Sequence, residues 1–242
     1  MQRAIVFGGT GGIGQAICRD LAAAGWSLYV HCNDQWQLAC ELCENLTQHY
    51  SSQDFIPIKF DFLTNNENLS AFVKQLLPVN ALVFAQGITD YQFVGKQKLA
   101  TIDKLMQLNL QLPIKLTALF EPILVKQDYS RIVYLGSVYG KQGSALEAVY
   151  SATKAGLSGF AQAYAREVAS AQLTVNVIAP GAVDTPMNAM FDPATMDEVQ
   201  AEIPAGRLAT GDDIAFWVTN LLDERSDYLT GQTIYVSGGW LV

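Results

Sequence analysis

The chain has 242 residues, 50% of them hydrophobic and only 16% charged, so it can bury a sizeable core and is not disordered, coiled-coil or low-complexity. Fifteen basic residues against 23 acidic ones leave a net charge of −8, the wrong sign for a nucleic-acid-binding surface. No apolar run is long enough to span a membrane, and four cysteines are too sparse for a disulfide scaffold.

Residues 4–7 follow Met1-Gln2-Arg3 directly and read as a strand entering a glycine loop, not as a cleavable signal, so the expected location is the cytoplasm. In chain order, strand-like runs are expected at 4–7, 28–31, 55–60, 81–84, 132–135, 175–178 and 233–236. Helical spacing of apolar residues marks 14–24, 35–49, 69–77, 101–126 and 150–169. This alternation predicts an α/β fold: one doubly wound Rossmann-type domain over residues 1–242, with a mainly parallel seven-stranded sheet and helices on both faces. Pro57, inside the third run, suits an edge strand, which is the place of strand 3 in the order 3-2-1-4-5-6. No linker or internal repeat divides the chain.

The first strand runs into Gly8-Gly9-Thr10-Gly11-Gly12-Ile13-Gly14. Glycines allow a tight turn and close approach of backbone to a pyrophosphate, and the following helix offers free N–H groups and the positive end of its dipole. Gly8, Thr10, Gly11, Gly12, Ile13 and Gly14 are therefore candidate dinucleotide-binding residues. The second strand ends His31-Cys32-Asn33-Asp34, where an acid would bind the adenosine ribose of NAD. Cys32 occupies that place, with Asn33 beside it, which points to NADPH (NADP+) ahead of NADH. Residues 31–35 supply no Arg or Lys for a 2′-phosphate, however, and Asp34 is an alternative ribose acid. Asp61 has two readings, an adenine contact or a helix N-cap.

Tyr150 and Lys154 stand four apart, hence on one face of a helix, and a nearby ammonium favours phenolate over a phenol of ordinary pKa about 10. Ser137 follows the fifth strand at the sheet edge where open α/β sheets place ligands, and its hydroxyl could hydrogen-bond a carbonyl oxygen opposite Tyr150.

These pieces together resemble the short-chain dehydrogenase/reductase family over essentially the whole chain. The motifs are Gly8-x-x-x-Gly12-Ile13-Gly14, Gly87-Ile88-Thr89, Asn109, Ser137, Tyr150-x-x-x-Lys154, Asn176-Val177-Ile178-Ala179-Pro180-Gly181, Thr185, residues 228–232 and Gly238-Gly239. The resemblance implies a ketone reductase in which Ser137 orients a carbonyl and Tyr150 gives the proton. Lys154 holds the nicotinamide ribose and tunes Tyr150, and Asn109 anchors a relay water. Gly87, Pro180, Gly181, Val183 and Thr185 line the cofactor. Two departures stand out: Phe7 replaces the usual Thr, and Phe84-Ala85-Gln86-Gly87 replaces Asn-Asn-Ala-Gly, the second of which also admits a catalytically idle nucleotide-binding regulatory protein on the same fold.

Within the family, residues 202–208 and the Gly-Gly ending are similar to the 3-oxoacyl-carrier-protein reductases. Asp128 and Ala171 stand where those enzymes carry carrier-docking arginines. The His31-x-Asn33 strand end, Gly181-Ala182-Val183-Asp184-Thr185 and Glu147 are shared instead with elongation factor P 5-aminopentanone reductase, whose substrate bears an amine. Glu147 reads either as a group for such a cation or as a solvated loop charge. The substrate is thus a ketone, small or protein-attached.

Cys40 and Cys43 fall within one helix with no second cysteine pair following, and Cys18, Cys32, His31 and His49 are scattered on different elements, so no metal site is expected. Met187, Met190, Phe191 and Met196 form either a lid or a packed helix. By resemblance, a homotetramer is expected through helices 101–126 and 150–169 and through residues 230–242.

Overall fold

The computed structural model describes residues 2–186 and 191–240. Each apolar run becomes a strand: β1 (Arg3–Phe7), β2 (Ser27–Cys32), β3 (Phe55–Lys59), β4 (Ala81–Phe84), β5 (Ser130–Leu135), β6 (Leu173–Pro180) and β7 (Thr233–Val236); the inner strands β1, β2, β4, β5 and β6 are buried almost throughout, and β3 and β7 are half-buried. They form one sheet in the order β3-β2-β1-β4-β5-β6-β7, and every pairing is parallel. Pro57 lies in β3 at the edge, where its missing N–H breaks no ladder.

The two-residue period of β1 divides the core. Ala4 and Val6 face one cluster, closed by α1 (Gly12–Ala23), α2 (Trp36–His49) and α9 (Gly211–Leu222). Ile5 and Phe7 face the other, closed by α3 (Leu69–Lys74), α5 (Leu112–Leu124) and α7 (Ala148–Val168). Phe7 and Phe84, the two departures from the family pattern, are register partners between β1 and β4.

The long helix expected at 101–126 is interrupted. It runs as α4 (Leu99–Met106), a wide π turn (Gln107–Gln111) and α5. Pro113 is the reason: it has no N–H for the carbonyl of Asn109 four residues back, and its ring crowds that oxygen. The periodicity of 101–126 also said nothing of α9. Its signal was a capping box, in which Thr210 Oγ1 accepts from Asp213 N and the Asp213 carboxylate accepts from Thr210 N at 2.7 Å. The short α6 (Tyr139–Gln142) and α8 (Pro193–Glu202) complete the helices used below.

Met187 and Met190 lie outside the described residues, as do Leu241 and Val242. Among the described residues, no helix is long and apolar enough to cross a membrane, and no cluster of His, Cys, Asp and Glu could hold a metal ion. Cys18, Cys32, Cys40 and Cys43 are all free thiols.

Candidate active site

A cleft opens at the C-terminal edge of the sheet, between the glycine loop, the segments after β4, β5 and β6, and the start of α7. β1 and β4 neighbour each other there while the chain winds away from them in opposite directions, the switch point at which such sheets bind ligands. Ile13, Gly87, Ser137, Tyr150 and Lys154 line this cleft, as do Pro180, Gly181, Val183 and Thr185.

α7 presents Tyr150 and Lys154 one turn apart. Tyr150 and Ser137 both line the cleft; burial pushes the Tyr150 hydroxyl well above the ordinary tyrosine range, Ser137 only partly offsets this, and Glu147 and Tyr139 add to it. The Lys154 ammonium Nζ donates to the Leu135 carbonyl at 2.7 Å and stands 5.5 Å from the Tyr150 ring centre. Burial lowers the Lys154 pKa to about 8, so it is still charged at neutral pH.

Asn109 is fully buried in the π turn. Its Oδ1 accepts from Ile88 N at 3.0 Å and its Nδ2 donates to Ile88 O at 2.8 Å, so it holds the Gly87–Ile88 backbone in place. Its amide lies behind the cleft wall rather than in it.

The glycine loop is shaped by close approaches. Gly8 has φ +74°, and a side chain at Gly14 would collide with the Gly8 carbonyl. Gly12 is in similarly tight contact with Thr185, where a Cβ would meet its methyl group at 2.9 Å. Thr10 is buried and its carbonyl accepts from Gln15 Nε2, while Gly11 at the exposed tip caps α1 without any side-chain bond. Beneath the loop lies His31, which sequence reasoning placed no role on. Its Nδ1 accepts from Gly8 N at 3.2 Å, so Nε2 carries the proton and donates to Phe60 O at 2.9 Å. Burial drives its pKa down to about 4.

At the adenosine end, Cys32 is only 1% exposed and packs into the core, so its thiol is not presented to solvent. Asn33 and Asp34 are exposed and bonded to each other, Nδ2 to Oδ2 at 2.7 Å. Lys59 of β3 is the register partner of Cys32 and acts electrostatically on it. Asp61 closes its own turn, accepting from Leu63 N, Thr64 N and Thr64 Oγ1. Its partial burial would raise the carboxyl pKa, but these bonds outweigh it and hold the group low.

Glu147 is not a solvated loop charge. It is 9% exposed, lines the cleft and accepts from Thr89 Oγ1 at 2.5 Å. Phe191 and Met196 also line the cleft, Met196 from α8. Trp240 packs edge-on against Tyr139 and donates from Nε1 to Glu202 at 3.2 Å.

The model of the short chain dehydrogenase family matches residues 2–195. An uncharacterized oxidoreductase of Bacillus subtilis is 34% identical over 238 residues, 98% of each chain. The 3-oxoacyl-[acyl-carrier-protein] reductase FabG of Escherichia coli is 33% identical over 244 residues, covering 98% of this chain and 96% of that protein. Among solved structures, a Beutenbergia cavernae protein assigned as an NAD(P)-dependent gluconate 5-dehydrogenase, with NADP bound at low occupancy, superposes with a TM-score of 0.93 at 28% identity, covering 99% of this chain and 96% of its own. A 3-oxoacyl-[acyl-carrier protein] reductase from Brucella melitensis gives 0.91 at 25% identity, covering 100% and 91%. Sheet order, cleft and relatives agree: the chain belongs to the short-chain dehydrogenase family and is an oxidoreductase acting on CH–OH and C=O groups.

Proposed function

We propose that the protein is an NADPH-dependent carbonyl reductase with Ser137, Tyr150, Lys154 and Asn109 as its working residues. The observation that carries this reading is that Ser137, Tyr150 and Lys154 line one cleft, with the Lys154 ammonium 5.5 Å from the Tyr150 ring centre. The site suits a dinucleotide: the glycine approaches leave room where a Cβ would stand, and the uncapped start of α1 offers N–H groups to a diphosphate. Gly8, Thr10, Gly11, Gly12, Ile13 and Gly14 would hold that diphosphate. Asn33, Asp61 and the backbone end of Cys32 would flank the adenosine, and Gly87, Pro180, Gly181, Val183 and Thr185 would flank the nicotinamide. When bound, the cofactor supplies the hydride that the carbonyl carbon accepts.

The protein's own residues handle the oxygen and its proton. Ser137 donates a hydrogen bond to the carbonyl oxygen and fixes its position. Burial keeps the Tyr150 phenol protonated, so it gives its proton to that oxygen as negative charge develops there. Lys154, charged at neutral pH, stabilises the phenolate left behind and holds the ribose. Asn109 acts through Ile88 as a positioning residue.

NADPH is favoured because Cys32 offers no carboxylate to repel a 2′-phosphate and Lys59 stands beside it as a cation. The relatives favour a 3-oxoacyl thioester, as on an acyl-carrier protein. Glu147 supports a second reading, a ketone bearing an amine, such as 5-aminopentanonylated elongation factor P. A carboxylate nine-tenths buried in the cleft attracts a cation far better than an exposed one does. The same family reading makes the protein a cytoplasmic homotetramer. The deciding experiment is a side-by-side assay of a 3-oxoacyl carrier protein, its free 3-oxoacyl analogue and the modified elongation factor. Preference for the loaded carrier selects the first substrate and preference for the modified factor the second. A protein that reduces no ketone with either cofactor is not the enzyme proposed.

A further inference from the structure

Gln86 follows β4 at the switch point and sits directly against the glycine loop. A Cβ on Gly8 would lie 2.7 Å from Gln86 N, and Ala85 N donates to Phe7 O at 2.9 Å. Its side chain lines the cleft, and both ends of its amide, Nε2 and Oε1, are buried without a hydrogen-bond partner. Because both atoms are unpartnered, exchanging their assignment changes nothing. A buried amide left in this state is costly, and a site of close approach is a place where a ligand can complete it.

We propose that Gln86 is a cofactor-binding residue whose amide engages the hydroxyls of a dinucleotide ribose. The choice of group follows from the amide's two-sided chemistry: the NH₂ only donates and the carbonyl only accepts. A diphosphate oxygen accepts and would leave Oε1 unpaired, and an apolar substrate would leave both ends unpaired. Ribose hydroxyls donate and accept, so a single diol satisfies both ends at once. The two riboses share this chemistry. They differ in that NADPH carries a phosphate on the 2′-oxygen of its adenosine ribose, whereas its nicotinamide ribose is intact.

This inference rests on the dinucleotide reading, and Gln86→Met separates the two. Methionine keeps the length of the side chain and removes its hydrogen-bonding ends. Binding of NADPH and of NADH to the ligand-free protein is measured by titration calorimetry, with the Tm of the ligand-free protein alongside. The expected result is dinucleotide binding about tenfold weaker and a Tm that does not fall, since no bond within the protein is lost. Equal losses for the two cofactors place the amide on the nicotinamide ribose; a larger loss for NADH places it on the adenosine ribose. Unchanged affinity in the variant overturns the inference and leaves the proposed function standing. Weaker binding with a lower Tm assigns the amide to the protein's own structure and also overturns it. A wild-type protein that binds neither dinucleotide overturns both readings.

Discussion

Phe7 and Phe84, register partners on adjacent strands, stack with ring centres 4.8 Å apart and planes 17° from parallel. Phe84 in turn stacks on Tyr134 of β5 at 5.0 Å, so three rings form a ladder across β1, β4 and β5. The Tyr134 hydroxyl closes the ladder in a 2.6 Å hydrogen bond with Thr117. The two residues that depart from the family pattern thus meet each other, and aromatic faces tie these strands together.

The two phenylalanines should therefore be coupled energetically. Phe7→Ala and Phe84→Ala are each expected to destabilise the protein by about 3–5 kcal/mol. In the double variant the losses should fall short of additivity by about 0.5–1.5 kcal/mol. Urea unfolding of the four proteins measures this, and strict additivity would show that the stacking is incidental.

Tyr150→Phe removes the proton donor and leaves the cleft's shape intact. Ketone reduction should fall by roughly 10²–10⁴-fold, while NADPH affinity by calorimetry stays at the wild-type value. Near-normal turnover would remove Tyr150 from the chemistry.

The pH profile of reduction should be set by Lys154, since the Tyr150 phenol titrates above it. The ammonium is lost as pH rises through about 8, so kcat/KM should be level near neutrality and decline above that point. In Lys154→Arg, which stays charged, the rate drops but the decline moves to higher pH. A decline still centred near 8 in that variant would point to a different group.

His31 predicts an acid-labile glycine loop. Its folded pKa of about 4 lies below the unfolded value of about 6.5, so between these the unfolded chain binds the extra proton. Stability contributed by the neutral ring is therefore full above about pH 6.5 and lost as pH falls towards 4. Between pH 7 and pH 5 the wild type should lose about 2 kcal/mol more than His31→Asn, measured by urea unfolding. An equal loss in the two proteins contradicts this.

Lys59→Gln tests the choice of cofactor. Without the cation beside the adenosine end, KM for NADPH should rise roughly tenfold at low salt, less at high salt, with KM for NADH unchanged. A rise shared by both cofactors would mean Lys59 does not read the 2′-phosphate.

Much of the fold was legible because its signals are local. The strands are short apolar runs, the dinucleotide turn is a glycine string after the first of them, and Tyr150 and Lys154 share a helix face by spacing alone. The break at 107–111 was also written locally, in Pro113 four residues after Asn109, but apolar periodicity runs straight through it. α9 was marked by Thr210 and Asp213 at its start and by the helical spacing of Ile214, Ala215, Val218, Leu221 and Leu222.

The sequence by itself determined the α/β class, the strand runs and the presence of Ser137, Tyr150 and Lys154, since each follows from neighbours a few residues apart. Tertiary structure decided what surrounds them. Lys59 meets Cys32 because β3 pairs with β2 in one register, and a slip in that register would move the cation away. Glu147 reaches Thr89 across 58 positions, and Phe7 finds Phe84 across 77, through strand and helix packing that no window of sequence contains. Burial then set the chemistry: exclusion from water raises the Tyr150 pKa and lowers that of Lys154. How deeply a side chain is enclosed is a property of every element packed around it, and only the assembled sheet and its helices fix that.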